Sequence, residues 1–403
     1  MLLSGLLEKF IRNGTLRLTD SAGKLHVFGG KLPGPAVAMR INTPGLETKL
    51  FLNPELKAAE AYMDGGLTFE DGSAVYDLLL LFSVNRAGLA SHGGQKLLRR
   101  AWRALRRWHQ ANPVGTAARQ ARHHYDLSTE LYRLFLDDDM QYSCAYFHDP
   151  EHDSLEDAQR YKLIHATSKL QLKPGMSVVE IGSGWGGFAI HLAKATGARV
   201  TGINVSPEQI KISRERAIAA GVADRVEFRE LDYRNVEGQF DRVVSVGMME
   251  HVGSAHFDEY FGKIRALLKD DGYAFIHCIG RMSPPGTTGP FIRKYIFPGG
   301  YSPAMSEVLA ATERNMLWVS DIEVLRLHYY HTIRHWRQRF AQNRQRAAQI
   351  YDERFCRMWE FYLAAVELEF LHGSHMVFQM LAAKTRDAVP IRRDFMLDAE
   401  RQA

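Results

Sequence analysis

The segment "VVEIGSGWGG", Val178–Gly187, ends an apolar run with a carboxylate, Glu180, and follows it with Gly182, Ser183, Gly184, Trp185 and Gly187. The spacing Gly182-x-Gly184-x-x-Gly187 is that of dinucleotide-binding turns, a weak signal by itself. The Lys and Ser/Thr of a phosphate-cradling loop are missing, which argues against a nucleoside triphosphate. A carboxylate at this place repels a pyrophosphate and attracts a cation. S-adenosylmethionine carries an ammonium and a sulfonium, and glycines let the backbone approach such a ligand closely. At the end of the next apolar run stands Asn204, where nucleoside-binding folds usually place an acid on the ribose, with Gln209 shortly after. Amides both donate and accept, so they can serve ribose hydroxyls. Asp232 and Tyr233, in "LDYRNV", stand where an adenine amino group would be read. Taken singly, Asn204 and Gln209 read equally well as turn and cap residues. The ordered set reads as a pocket for S-adenosylmethionine.

Positioning these residues requires strands that alternate with helices. Met176–Gly182, Ala198–Asn204, Arg225–Asp232, Phe240–Gly247 and Gly272–Ile279 are strand candidates separated by helical patterns, and "MLWVSDIEVLRL" and "HMVFQMLAAK" add two late ones. Such alternation predicts a parallel sheet with helices on both faces, its ligands beyond the carboxyl ends of the strands. Earlier in the chain, "TLRLTD", "KLHVFGG", "AVAMRI" and "TKLFL" alternate like strands, and helical stretches around a Gly-rich turn follow. The expected organisation is a small α+β domain over residues 1–92, a basic connector over 93–120 and a larger α/β domain over 121–403.

Composition agrees with two domains. In 403 residues, 46% apolar and 24% charged side chains allow substantial cores. Cys144, Cys278 and Cys356 are odd in number and lack paired spacing, which favours a reducing compartment and argues against disulfides or zinc. No apolar run is long enough to span a membrane, and "MLLSGLLEKFIRNG" reads as an amphipathic helix rather than a signal peptide. A cytoplasmic protein is expected. The net charge of +5 includes "KLLRRAWRALRRWHQ", Lys96–Gln110, where Arg99, Arg100, Arg103, Arg106 and Arg107 flank Leu98, Trp102 and Leu105. This pattern suits an ordinary surface helix or one lying on anionic lipid. No nucleic-acid-binding motif accompanies it.

Further motifs narrow the reading. His123–Phe147, Gly247–Gly253 ("GMMEHVG"), Phe275–Gly280 ("FIHCIG"), Phe291–Gly300 ("FIRKYIFPGG") and Leu325–Trp336 ("LRLHYYHTIRHW") together resemble cyclopropane fatty acid synthases over most of residues 120–385, and Glu60–Asp71 extends the likeness. The resemblance implies a class I methyltransferase, a doubly wound seven-stranded α/β sheet with a helical insertion, beside the smaller α+β domain. It implies methyl transfer from S-adenosylmethionine to the cis double bond of a phospholipid acyl chain, with a proton lost as a cyclopropane closes. It further implies bicarbonate as base, bound by Cys144, Glu250, His277, the Ile279 main chain and Tyr329, while Tyr142 and Ser143 flank the methionine portion of the cofactor. Spacing to "TIRHW" favours Tyr329 over Tyr330. By the same likeness the protein is a homodimer peripheral to the inner membrane. The chemistry is self-consistent. An alkene attacking a methyl group acquires cationic character that fixed negative charge and aromatic faces stabilise, and a base must then take a proton. Water must be kept out. One departure is that many relatives carry a Cys in Tyr-Leu-x-x-Cys, where this chain has Tyr362, Leu363 and Val366. A methylated, methylene-bearing or furan-precursor product therefore stays open as the alternative to a ring, with small-molecule N-methylation more distant.

Overall fold

In this computed structural model residues 3–86 and 128–402 are described. The whole connector, with the basic stretch Lys96–Gln110, and the start of the His123–Phe147 motif lie outside them. Two compact units divide the chain.

The first unit is built on strands whose alternate side chains are apolar, so that one face buries Leu16, Leu18, Val37 and Met39. Strands β1 (Asn13–Thr19), β2 (Leu25–Gly29), β3 (Leu32–Ile41) and β4 (Leu67–Glu70) form a sheet of order β2-β1-β3-β4, with β1 parallel to β3 and the other pairs antiparallel. The alternation in "TKLFL" does not make a strand. Leu46–Leu52 is helical, with left-handed Gly45 at its start and Asn53-Pro54 at its end, so Leu46 and Leu50 share a buried face at a spacing of four. The next helix, Pro54–Met63, opens with proline at its first position, where no N–H is needed, and Asn53 Oδ1 accepts from Leu56 N at 3.4 Å. Helix Val75–Val84 follows. Residues 287–296 and 333–374 also belong to this unit, although sequence order suggested that everything after 121 forms one domain. The physical reason is helix Glu353–His372. It buries Trp359, Phe361, Leu363 and Leu368 and packs on Val75–Val84 and Pro54–Met63. Tyr62 Oη donates to Glu360 at 2.9 Å and Tyr76 Oη to Glu367 at 3.1 Å.

The second unit carries seven strands: β5 (Ser177–Ile181), β6 (Arg199–Asn204), β7 (Val226–Glu230), β8 (Phe240–Val246), β9 (Leu268–Arg281), β10 (Trp318–Val324) and β11 (His375–Ala383). Their order is β10-β11-β9-β8-β5-β6-β7, parallel except that β11 runs against both its neighbours. Both faces of the sheet are covered, so the central strands are apolar on both sides. Val179, Ile181, Val243 and Ile276 join one core, and Val178, Val244 and Phe275 join the other. Strand order reverses between β5 and β8, and a loop at such a reversal opens a crevice for ligands. No described helix is long and apolar enough to cross a membrane.

Candidate active site

The crevice at that reversal is lined by Gly182, Gly184, Asn204, Gln209, Asp232, Tyr233, Gly247, Met248 and His251, and it encloses roughly 800 Å³, part of it open to solvent. Glu180 is 3% exposed. Its Oε2 has no hydrogen-bond partner among the described residues. Burial pushes this carboxyl up to about 7, against the pull of the Lys162 ammonium and the Ala189 main-chain N–H. The loop turns through left-handed Gly182, Gly184 and Gly186, at φ of 82°, 52° and 80°. Gly187 serves differently, since a Cβ there would collide with Gln141 Nε2 and Asp139 Oδ2. Ser183 Oγ, Trp185 Nε1 and Gln209 Nε2 are also buried without partners among the described residues. Trp185 meets Tyr132 edge-on at 5.0 Å, and Tyr132 meets Tyr142 at 5.2 Å, forming an aromatic wall behind the loop.

Asn204 lines the cleft and at the same time holds a turn. Its Nδ2 donates to Gly184 O (3.3 Å) and Gln209 Oε1 (2.7 Å), while its Oδ1 accepts from Val205 N (2.7 Å) and Ser206 N (3.2 Å). An amide has two donors and two acceptor sites, so Asn204 is saturated and Gln209 Nε2 is the donor left facing the cleft. The helix cap is Ser206, whose Oγ accepts from Gln209 N at 3.4 Å. Asp232 is held by Arg234 through Nε at 2.9 Å and Nη2 at 2.7 Å. Burial raises the Asp232 carboxyl, and the guanidinium and main-chain N–H of Arg234 more than reverse this, so it is ionised beside the cleft.

The other site residues fall into two groups. Glu250, in the turn after β8, accepts from Ile279 N at 2.6 Å through Oε1, while its Oε2 has no partner among the described residues. Burial pushes this carboxyl up to about 7 as well. The Ile279 N–H is thus committed to Glu250. His277 lies opposite Val246, and Gly247 N donates to its carbonyl at 2.9 Å, which fixes the strand against the rim of the cleft. Burial drives His277 down to about 3, leaving a neutral imidazole. In the second group Cys144 is buried, its thiol donates to Ala145 O at 3.3 Å, and burial pushes its pKa up. Ala145 N donates to Thr332 Oγ1 at 3.0 Å, which ties this loop to the helical turn carrying buried Tyr329.

Sequence reasoning missed Lys162. In "LEDAQRYKLIHATS" a lysine reads as a solvated position, yet Lys162 is 2% exposed, with Nζ donating to Gln141 Oε1 at 2.5 Å and Ser143 Oγ at 3.0 Å. Burial pulls it down to about 8, although Asp137, Asp139, Cys144 and Glu180 all favour its charge. His251 and Gly186 were also unremarked, the former a plain neighbour of Glu250 and the latter hidden inside "GWGG".

A buried carboxylate with an open oxygen, a glycine turn and unpaired donors around a sheet reversal fit a nucleoside bearing positive charge. They define an S-adenosylmethionine-dependent methyltransferase of class I. The family model described as mycolic acid cyclopropane synthetase matches residues 114–380. The chain is 36% identical over 360 residues to a probable fatty acid methyltransferase of Pseudomonas putida, covering 87% of this chain and 88% of that one. It is likewise 36% identical over 350 residues to the cyclopropane-fatty-acyl-phospholipid synthase of Escherichia coli K12, covering 86% and 87%. A solved cyclopropane synthase of Mycobacterium tuberculosis superposes with a TM-score of 0.64 at 28% identity, over 68% of this chain and 99% of that one. The protein belongs to the cyclopropane fatty acid synthase family.

Proposed function

We propose that the enzyme moves a methyl group from S-adenosylmethionine to the cis double bond of an unsaturated phospholipid acyl chain and removes a proton to close a cyclopropane. The observation that carries this reading is Glu250. It is a buried carboxyl with one oxygen fixed by Ile279 N–H and the other unpartnered among the described residues, raised to about 7, in the turn whose Met248 and His251 line the cofactor cleft. Bound S-adenosylmethionine supplies the electrophilic methyl. Glu180 faces its positive charge, Gln209 and Ser183 offer hydrogen bonds, and Tyr142 and Ser143 flank its methionine end. Glu250 stabilises positive charge developing on the acyl chain and sits near neutrality, where a carboxyl can give or take a proton. Bicarbonate, where it binds, supplies an additional base. Cys144, Glu250, His277 and Tyr329 would hold it, and Ile279 contributes through Glu250. A protonated Glu250 avoids placing two anions side by side.

A second reading ends in methylation without ring closure. The Pseudomonas putida relative's description and Val366 in place of the family cysteine favour it. Both readings share the cofactor, the acyl chain and the loss of one proton from the new methyl. They differ in whether the electrons left behind close a ring or, after a 1,2-hydride shift in the cation, form a methylene double bond. Only a separate reductant would saturate that bond to a branch. Incubation with S-adenosylmethionine and vesicles of cis-unsaturated phospholipid is expected to yield chains heavier by one methylene unit. Mass spectrometry separates these from a saturated methyl branch. Proton NMR separates the ring from an exocyclic methylene of equal mass. Unchanged lipid would defeat both readings.

A further inference from the structure

Gln379 on β11 lies directly opposite His277 on β9 and is 1% exposed. Its Oε1 accepts from Lys169 Nζ at 2.5 Å, and its Nε2 stands 3.2 Å from His277 Nδ1. Lys169, buried at the end of helix Leu155–Ser168, also pairs with Glu323 on β10. Glu323 takes a second contact from His165 Nε2 at 2.8 Å, and His165 Nδ1 lies 3.3 Å from Glu400. The row therefore reads carboxylate, ammonium, amide, imidazole. An ammonium has three donors and no acceptor, so Gln379 must turn its carbonyl oxygen to Lys169 and its NH2 to His277. Nδ1 of His277 must then accept. A neutral imidazole with a hydrogen-bond-accepting Nδ1 carries its proton on Nε2. Among the described residues the ring of His277 makes no other hydrogen bond, so Nε2–H is the ring's one uncommitted donor.

We infer that Lys169 and Gln379 are positioning residues that lock His277 as its Nε2–H tautomer, making it a hydrogen-bond donor, not a proton acceptor, during the reaction. His277 is thereby suited to hold an anion or a developing negative charge, and the proton leaving the acyl chain goes elsewhere, to Glu250 or to a base beside it. Only the choice of what His277 donates to rests on the acyl-chain reading; the tautomer follows from the network alone. Replacing Lys169 by a neutral side chain frees the amide to flip. Replacing Gln379 by an acceptor should pull the proton to Nδ1.

The test is a multiple-bond proton–nitrogen correlation spectrum of the full-length protein labelled with 15N-histidine at pH 7.5, with the His277 signals assigned by their loss in His277→Gln. The unsubstituted protein is expected to show a protonated Nε2 and a bare Nδ1. Lys169→Met and Gln379→Leu should introduce the other tautomer, and Gln379→Glu should protonate Nδ1. Turnover on phospholipid vesicles should fall by roughly 10²-fold in Gln379→Glu while the KM for S-adenosylmethionine stays within about twofold. A protonated Nδ1 in the unsubstituted protein overturns the inference, whether or not any variant folds. So does an unchanged tautomer in folded Gln379→Leu and Lys169→Met. Finding the Nε2–H tautomer with no turnover on any acyl chain would uphold the inference and remove the acyl-chain reading.

Discussion

Glu180 and Glu250 each keep one buried oxygen without a partner among the described residues, and burial lifts each to about 7. A carboxyl raised on folding stabilises the protein most when protonated. That contribution is complete below the ordinary carboxylate pKa and fades as pH rises through about 7, a loss of roughly 3 kcal/mol for each group by pH 8. The ligand-free melting temperature should therefore fall between pH 6 and pH 8. A cationic ligand beside Glu180 favours ionisation, so S-adenosylmethionine affinity should rise over that window. Glu180→Gln should flatten the slope, and S-adenosylhomocysteine, without a charged sulfur, should show a shallower one. Calorimetric titrations at the two pH values check this, and a pH-independent affinity for the unsubstituted enzyme would contradict it. Lys162→Met strips Gln141 and Ser143 of their donor and removes the charge that pulls Glu180 down. About tenfold weaker binding at pH 7 is expected, equivalent to about 1.4 kcal/mol. Glu180 and the glycines were legible because carboxylate and turn are adjacent in the chain. Lys162 and Gln379 were not, because a lysine on a helix and a glutamine in a strand declare nothing until distant segments bury them.

Strands and turns were legible wherever one local force dominates. The apolar runs of β5, β6, β7 and β8 end at glycine or polar residues, and their observed limits lie within two residues of those read from the sequence. Strand β9 runs longer, taking in Asp270-Asp271-Gly272, which locally signal a turn; pairing with β8 and β11 extends it. Leu46–Leu52 misled because a short Lys-Leu-Phe-Leu run satisfies both periods. Two glycines make the turn argument measurable. Gly175 has φ of 82° with nothing within 4 Å of where a Cβ would sit, whereas a Cβ on Gly186, at φ 80°, would lie 2.6 Å from Phe228. Gly175→Ala should cost only the conformational penalty of about 1–2 kcal/mol. Gly186→Ala should cost a further 1–3 kcal/mol, roughly the price of overpacking, and should weaken cofactor binding. Urea unfolding of both variants measures the difference; equal losses would mean that Phe228 yields freely.

The N-terminal unit is made from three stretches of chain, residues 3–86, 287–296 and 333–374 among those described. Helix Glu353–His372 packs on Val75–Val84 and Pro54–Met63 outside the apolar core formed by residues 3–82, and Glu367, 1% exposed, is clasped by Arg337 at 2.5 Å and by Tyr76. Glu367→Ala removes a buried acceptor shared by Tyr76 and by Arg337, whose guanidinium is 27% exposed and can reach water, so it should destabilise this unit by about 1–3 kcal/mol. A fragment of residues 1–92, the domain that sequence order suggests, retains the apolar core that residues 3–82 form among themselves but bares the faces that helix Glu353–His372 covers, so it should melt well below the full-length protein and self-associate; a fragment melting as high as the full chain would refute this assembly. The same division has a consequence during synthesis. The ribosome makes residue 84 long before residue 353, an interval on the order of half a minute at 5–20 residues per second. Throughout it the nascent Val75–Val84 segment can settle on its own sheet, yet the side that meets Glu353–His372 stays bare, a target for holding chaperones until the last eighth of the polypeptide emerges to cover it.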